Sequence, residues 1–264
     1  MTDWQEIIDA DYALPDDRPL ADLVAELSVT LRSPDPVLRD DHAYQVLARW
    51  IPMLEPEDRD KLGDELASRF ADPEIQARTF APLMLSVVVA HGGYRESWVE
   101  AFAAWYPAET DLRGHDAELG WLHAVAHGAD LLRVLGGSPF VEKPAALLDL
   151  AVARMLAPTT FVWSDQEDDR LAYALGMMLT RPELTEEQCV GWLTPVADLF
   201  DTGEPGPVPA NAVNTMRTLR LLYLLADRGV RARWGLAEPV MLRHREAVKE
   251  RLAEVLAIVA PFAG

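Results

Sequence analysis

The sequence predicts an all-α protein, and three observations lead to that prediction. Apolar residues recur at helical spacing in almost every segment of the 264 residues, while no segment alternates convincingly between apolar and polar residues as a strand does. Proline, glycine and capping residues separate these segments. Polar residues set into alternate apolar helices lie 36, 45, 45 and 46 residues apart, at His42, Arg78, His123, Asp168 and Asn214. Because HEAT and armadillo repeats span about 40–47 residues, this spacing favours an irregular α-solenoid, with a compact multi-helix bundle as the alternative.

The first part of the chain is expected to form a leader followed by five helices. Residues 1–17 read as a loosely attached leader with a short amphipathic piece that ends at Pro15. Residues 20–31 carry an amphipathic stripe, and the prolines at 34 and 36 end that helix. The next helices are expected at residues 40–54, 57–70, 72–90 and 94–106.

The rest of the chain is expected to continue in the same way. Residues 118–135 form a central helix that ends at Gly136. Residues 143–156 form the next helix, and capping boxes at Ser164 and Thr185 precede helices that end near residues 179 and 200. The last helices cover residues 211–226 and 239–260, after a loop at 201–209. We therefore predict one helical domain over residues 1–264, with helical repeats from 18 to 260.

The charge of the chain argues against two classes of partner. It carries 43 acidic and 24 basic residues, a formal net charge of −19. A surface with this excess of negative charge repels the phosphates of nucleic acids and anionic membrane surfaces. We therefore expect neither as a partner. The sequence leaves the oligomeric state open.

The single cysteine and the N-terminal segment favour the cytoplasm. Cys189 has no second cysteine to pair with, and its neighbours predict a buried helical position rather than a catalytic thiol. The N-terminus is acidic and does not resemble a secretory signal. The longest apolar runs, such as residues 81–90, are too short to span a bilayer.

The central helix carries the strongest candidate site. At about 100° per residue, His123, His127 and Asp130 fall within about 60° of one another. Trp121 falls on the opposite side of this predicted helix, although it is near enough to the proposed groove to line a pocket. In a solenoid, such a polar strip on an inner helix faces the concave groove. The groove is thus expected to be centred on this helix.

Three chemistries are open to this strip. Its histidines and carboxylate could bind a metal, although we expect no cofactor. A zinc protease is excluded because Ala124 stands where the motif needs a glutamate. Asp130 could orient His127 as a general base, which makes these two the catalytic candidates. The histidines could also form ordinary hydrogen bonds in the core.

Further polar residues are predicted to line the same groove. Asp111 and Arg113 belong to the loop before the central helix, where they either brace the loop or contact a ligand. Asp168, Arg170 and Asn214 belong to polar strips on later helices, and Trp163 is placed near the groove. The full predicted ligand-binding set is Asp111, Arg113, Trp121, His123, His127, Asp130, Asp168, Arg170 and Asn214.

One stretch resembles a known family. Residues 111–114 (DLRG) and 120–132 (GWLHAVAHGADLL) are similar to the hallmark of a bacterial family of unknown function, the domain-of-unknown-function family 2785. Residues 38–41 and 168–171 resemble its weaker patches. The resemblance covers roughly residues 35–230. It implies an all-helical protein and supports the location of the site, and it implies no activity.

Two function hypotheses follow, and a third is weaker. The first is a non-enzymatic helical-repeat protein that binds a small molecule or a peptide-like partner in its groove. The alternative is an enzyme that uses His123, His127 and Asp130 as an acid–base or metal site. A HEAT-like DNA-lesion enzyme is a third possibility, against which the negative charge argues.

Overall fold

The computed structural model describes residues 2–203, 206–231 and 238–260. Within these ranges the protein is almost entirely helical, which confirms the all-α prediction. Contacts along the chain define two compact units. The first unit comprises the residues up to Trp105 together with Asp111–Leu131, and the second comprises Tyr106–Thr110 and the residues from Leu132 onward. The sequence predicted one domain over residues 1–264.

The first unit is built from helices and one short hairpin. Its elements are α1 (Trp4–Asp9), α2 (Leu20–Thr30), a π-helical segment (Val37–Tyr44), α3 (Gln45–Trp50), α4 (Pro56–Ser68), α5 (Ile75–Ala90), α6 (Glu96–Trp105), β1 (His115–Asp116) and β2 (Gly120–Trp121). Short 3-10 turns follow α3 at Ile51–Met53 and α4 at Arg69–Ala71. Helix α7 (Ala124–Gly137) belongs to this unit as far as Leu131.

The core of the first unit lies where α2, α3, α4 and α5 contact one another. Its fully buried side chains include Leu23, Leu27, Leu47, Trp50, Leu66 and Met84. Part of the predicted leader belongs to this core. Trp4 is buried with its ring 6.2 Å from that of Trp50, whose indole nitrogen donates to the carbonyl of Tyr12 at 2.9 Å.

The second unit is helical in all of its described secondary structure apart from a single β-bridge between Val230 and Val240. After the end of α7 its helices are α8 (Ala145–Leu156), α9 (Glu167–Met178), α10 (Glu186–Gly191), α11 (Thr194–Asp201), α12 (Ala210–Arg228) and α13 (Arg245–Val259). Helix α12 contacts α8, α9, α11 and α13. Buried leucines at 171, 175, 219, 222 and 252 form the core of this unit.

The two capping-box predictions have opposite outcomes. At Thr185 the box is complete, because the threonine hydroxyl accepts from the amide of Gln188 and the Gln188 side chain accepts from the amide of Thr185. At Ser164 the prediction is wrong. Helix α9 starts after Gln166, which has a φ of 66°, and the carboxylate of Glu167 accepts from the amide of Asp165. Glu167 therefore accepts a hydrogen bond from the amide of Asp165, whereas the predicted capping box needs one from the amide of Ser164.

The prediction of a helix over residues 118–135 is wrong at its start. Residues 115–121 form the antiparallel hairpin β1–β2, in which His115 pairs with Trp121 and Asp116 pairs with Gly120. Helix α7 begins only at Ala124. Three other predicted helices also differ from the structure. Residues 40–54 divide into π-helical, α-helical and 3-10 segments, and residues 185–200 form two helices instead of one. The last helix starts at Arg245 instead of residue 239. In the predicted loop at 201–209, residues 204 and 205 lie outside the described residues.

Candidate functional site

The hairpin turn is held by an aspartate and a glycine. The Oδ1 of Asp116 accepts from the amides of Glu118 and Leu119, both at 2.9 Å. Gly120 has a φ of +70°, a conformation that is unfavourable for residues with a Cβ atom. A Cβ at this position would lie 2.7 Å from the Cβ of Pro36 and 3.3 Å from Nη2 of Arg39. The glycine thus allows the hairpin to lie directly against the π-helical segment.

Arg39 fastens the hairpin to that segment. Its side chain is fully buried, and its guanidinium binds both carboxylate oxygens of Asp40, at 2.7 and 3.2 Å. The same group donates to the carbonyls of Leu119 at 2.5 Å and Trp121 at 3.2 Å. It also lies 4.8 Å from the centroid of the Phe80 ring. Burial raises the pKa of Asp40, although the hydrogen bond from Arg39 opposes this effect.

Arg113 braces the loop before the hairpin. Its guanidinium binds both carboxylate oxygens of Asp111, at 2.9 and 2.6 Å, and Oδ2 of Asp116 at 2.5 Å. The hydrogen bond from Arg113 lowers the pKa of Asp111. The amides of Leu119 and Glu118 lower the pKa of Asp116. The bracing role that the sequence offered for Asp111 and Arg113 is therefore present in the structure.

Three aromatic rings form a cluster on the hairpin. The ring of His123 lies parallel to that of Trp121, with 4.4 Å between centroids and 10° between planes. The ring of His115 meets Trp121 at 4.8 Å and 77°. Trp121 keeps 44% of its surface exposed. The predicted placement of Trp121 opposite the histidines is therefore wrong, since residues 120 and 121 are extended rather than helical.

His123 marks the transition from hairpin to helix. It has a φ of 49°, its amide donates to the carbonyls of Arg113 and Gly114, and its carbonyl accepts from the amide of His127 at 2.9 Å. His123 therefore precedes the first turn of α7 instead of lying within a helix. The two imidazoles are nevertheless neighbours, with 5.6 Å between their centroids.

His127 is a core residue, with 5% of its surface exposed. Its Nδ1 donates to the carbonyl of Thr79 at 2.9 Å, because a ring nitrogen that faces a carbonyl must carry the proton. The ring packs edge-on against Phe80 at 5.1 Å. The carbonyl of Thr79 in α5 thus fixes the orientation of the His127 ring. Asp130, three residues further along α7, is half-buried.

The candidate metal set is not assembled in the described ranges. Among residues 2–203, 206–231 and 238–260, no group of three or more His, Cys, Asp or Glu side chains is arranged to hold a metal ion. This finding covers His123, His127 and Asp130. Because His123 lies outside the helix, the helical spacing on which the predicted ligand set depended does not apply.

The candidates of the second unit have mainly structural contacts. Asn214 is fully buried, and its side-chain amide accepts from the amide of Trp163 and donates to the carbonyl of Phe161, both at 3.0 Å. Trp163 is 1% exposed, so its ring does not line an open surface. Arg217 joins this loop to α9, since it donates to the carbonyl of Trp163 at 2.7 Å and to Asp168 at 2.6 Å.

Asp168 and Arg170 occupy different environments on α9. Burial raises the pKa of Asp168, and the positive charge of Arg217 opposes this increase. Arg170 is exposed at the surface. These residues belong to the second unit and His123 to the first. The groove that would place them together therefore stays a prediction.

Cys189 has the environment that its sequence predicted. The side chain is fully buried, and burial raises the pKa of its thiol to about 11. A thiol with this pKa is protonated near neutral pH and is a poor nucleophile. In the described parts of the chain, no helix is long and apolar enough to cross a membrane.

Sequence reasoning missed two contributors to the site. His115 lies eight residues before His123, and the sequence gives no sign of its contact with Trp121 because the two residues meet only as cross-strand partners in the hairpin. Arg39 was present in the family-like patch at residues 38–41, which was the available signal. A cleft of about 480 Å³ in the first unit contains none of the predicted site residues, since the N-terminal segment and α2 line it.

The described residues form a mostly helical protein in which a short hairpin carries a cluster of three aromatic rings. The chain belongs to the family described as protein of unknown function (DUF2785), whose model matches residues 66–224. This match confirms the family expected from the central motif. It includes the ring cluster, whereas Arg39 precedes it. No curated protein and no solved structure matches the chain.

Proposed function

We propose that this protein is a non-catalytic binding protein whose site is the ring cluster of Trp121, His115 and His123. The ligand is a small molecule or a peptide-like segment. The observation that carries the proposal is the exposure of Trp121 on a hairpin held in place by buried Arg39. Tryptophan provides a large, rigid contact surface that loses little conformational entropy when it binds. A preformed aromatic surface of this kind is suited to recognition.

The catalytic alternative has less support. His127 would act as a general base next to Asp130, but its ring is nearly inaccessible and its Nδ1 proton binds the carbonyl of Thr79. The Cys189 thiol is protonated near neutral pH. Arg113, Asp111 and Asp116 are engaged with one another. A binding role needs none of these groups to be released.

A screen for ligands tests the proposal. Purified protein is heated in the presence of a library of metabolites and short peptides, and compounds that raise the melting temperature are titrated into the wild-type protein. Such a compound is expected to lose affinity for the Trp121→Ala variant. The matched control is Phe140→Ala, which removes another exposed aromatic side chain from the second unit. If no compound binds in a Trp121-dependent way, the proposal fails.

We also propose the finer architecture and location that the sequence favours. The 36–46-residue spacing supports an irregular HEAT-like solenoid with a concave groove. A compact globular chain of this length has a radius of gyration of about 18 Å, so X-ray scattering that gives a clearly larger value for the monomer would support the solenoid. The lone cysteine supports a cytoplasmic location. The net charge supports the absence of nucleic-acid and membrane partners, which binding assays at low salt would test.

A further inference from the structure

Helices α12 and α13 form an antiparallel pair in the second unit. Arg245, in the first turn of α13, donates to the carbonyl of Ala226, near the end of α12, at 2.9 Å. One turn further along α13, Nζ of Lys249 lies 5.9 Å from the centroid of the Tyr223 ring. Lys249 and Arg245 also bind Asp227, at 2.9 and 3.3 Å. As α13 advances, its contacts therefore move back along α12.

The outer face of α12 is basic. At about 100° per residue, four exposed side chains fall within about 80° of one another on this helix, and most of its buried residues lie on the opposite side. These four residues form the α12 stripe: Arg217, Arg220, Leu224 and Arg228. The only acidic residue in the sequence of α12 is Asp227, whose charge is compensated by Arg245 and Lys249 beside the stripe.

The outer face of α13 is acidic. Four of its exposed side chains fall within about 60° of one another, and they form the α13 stripe: Glu246, Glu250, Ala253 and Ala257. Glu254 borders this stripe and pairs with Arg251 at 2.8 Å. The basic residues Arg245 and Lys249 face α12 instead. Positive and negative charges are therefore segregated on the outer surface of the two helices.

Two guanidiniums and one carboxylate of the stripes have no partner within the described part of the chain. They belong to Arg220, Arg228 and Glu250, whose side chains make no hydrogen bond or ion pair there. Arg228 lies in the last turn of α12, where a positive charge suits the helix dipole. Arg220 and Glu250 lie within their helices and have no such role. Between the two arginines, Leu224 keeps 53% of its surface exposed.

A two-fold rotation can bring the stripes of two copies together. If its axis runs parallel to the two helices and between their outer faces, the α12 stripe of one copy faces the α13 stripe of the other, at the same level. From the contacts between α12 and α13, Arg228 then lies within about 3 Å of the level of Glu246, and Arg220 within about 3 Å of the level of Glu250. An axis across the helices would instead place arginine against arginine.

We propose that the protein forms a two-fold dimer in which the α12 stripe of each copy docks on the α13 stripe of the other. Charge complementarity carries the proposal, because guanidiniums and carboxylates that lack partners in one chain meet in the dimer, and each contact occurs twice. Leu224 packs against the aliphatic parts of the facing glutamates. The stripes belong to the second unit and the ring cluster to the first, so the dimer does not depend on the proposed binding function.

Sedimentation equilibrium of the purified full chain tests the dimer. At protein concentrations up to about 100 µM, the wild type is expected to reach the mass of two chains in about 50 mM sodium chloride. In about 500 mM sodium chloride the mass is expected to shift toward that of one chain, because salt screens the exposed charges. A wild type that stays monomeric at low salt overturns the proposal.

Charge reversal locates the contact. Arg220→Glu and Glu250→Arg each place two pairs of like charges in the interface, so each variant alone is expected to weaken the dimer at least about tenfold. An equimolar mixture of the two variants is expected to form dimers again, because the two reversed side chains face each other and the two original ones do the same. Misfolding of either variant cannot produce this recovery.

Two adjacent charges outside both helices provide matched controls. Glu142 and Lys143 are exposed and precede α8. Lys143→Glu and Glu142→Arg are expected to change the dissociation constant of the dimer less than about twofold. Circular dichroism and thermal unfolding check that all four variants are folded.

The other outcomes contradict the proposal. If the dimer survives both reversals, or if the mixture of folded variants stays monomeric, the contact lies elsewhere on the chain. If the wild type is monomeric and binds a single-stranded DNA oligonucleotide or phosphatidylserine vesicles in a way that Arg220→Glu abolishes, the α12 stripe has a different occupant and the dimer is wrong.

Discussion

The guanidinium of Arg39 donates to the carbonyl of Trp121 at 3.2 Å, although 82 residues separate them in the chain. The same guanidinium lies over Phe80, and His127 packs edge-on against that ring. His127 adjoins His123, and His123 stacks on Trp121. These contacts form a closed circuit of five residues, in which Arg39 reaches the backbone carbonyl of Trp121 and the other contacts join side chains. Within this circuit Trp121 is the most exposed residue, and Arg39 is fully buried.

Replacing Arg39 should therefore destabilise the protein and disturb the site. In Arg39→Met, the carboxylate of Asp40 and the carbonyls of Leu119 and Trp121 lose their donor in a mostly buried environment. Such a loss typically costs about 3–5 kcal/mol in the free energy of unfolding. Urea unfolding measures this value. The control is Arg49→Met, because Arg49 is exposed and lies over Tyr12 at 5.0 Å, and we expect it to cost less than about 1 kcal/mol. Equal losses in the two variants would contradict the anchoring role.

A glycine pair tests the close approach of the hairpin. Gly120→Ala places a Cβ 2.7 Å from Pro36 in a residue whose φ is +70°, so we expect a loss of about 2 kcal/mol. Gly137→Ala meets nothing within 4 Å at the end of α7, and we expect it to be neutral or slightly stabilising. Thermal unfolding of both variants gives the comparison. A neutral Gly120→Ala would show that the hairpin is not seated as described.

An asparagine pair tests the loop of the second unit. Asn214→Ala leaves the amide of Trp163 and the carbonyl of Phe161 without their partner in a buried environment, which should cost about 2–3 kcal/mol. Asn211 is partly exposed and makes a 3.3 Å hydrogen bond to the carbonyl of Leu156. Asn211→Ala should cost less than about 1 kcal/mol. Denaturant unfolding measures both free energies of unfolding. A smaller loss for Asn214→Ala than for Asn211→Ala would contradict the role of Asn214 in holding this loop.

The pair of Asp111 and Arg113 should make stability depend on pH. The pKa of Asp111 is lowered in the folded protein from its ordinary value of 3.8, so ionised Asp111 contributes stability above that value. This contribution is lost as the pH falls through the lower, folded-state pKa. Because the pair is partly exposed, Asp111→Asn should cost only about 1 kcal/mol at about pH 7, with the difference shrinking below about pH 4. Unfolding curves of both proteins against pH measure it, and a difference that grows in acid would have the wrong sign.

The sequence predicted the long helices well because their signals are local. The expected helix at residues 20–31 is observed at Leu20–Thr30, and that at 143–156 is observed at Ala145–Leu156. The capping box at Thr185 was recognisable because both of its hydrogen bonds form within four residues. The family was also recognisable, since its hallmark is a contiguous stretch.

The site could be located from the sequence but its geometry could not. The hairpin strands have two residues each, too few to alternate, and residues 118–124 continue an apolar pattern that suits a helix. The backbone of His123 is left-handed, and a histidine in the sequence does not indicate that conformation as a glycine would. The hydrogen bonds from Arg39 to Leu119 and Trp121 span 80 and 82 residues, and no local pattern reports contacts over such distances.

Calorimetric titration of the tightest-binding library compound into the wild-type protein and the Trp121→Ala variant tests the central claim most directly. We expect a saturable heat signal for the wild type, an unchanged dissociation constant for Phe140→Ala, and a loss of about 2 kcal/mol or more for Trp121→Ala, which corresponds to roughly thirtyfold weaker binding. Equal affinities of the wild type and Trp121→Ala would contradict it.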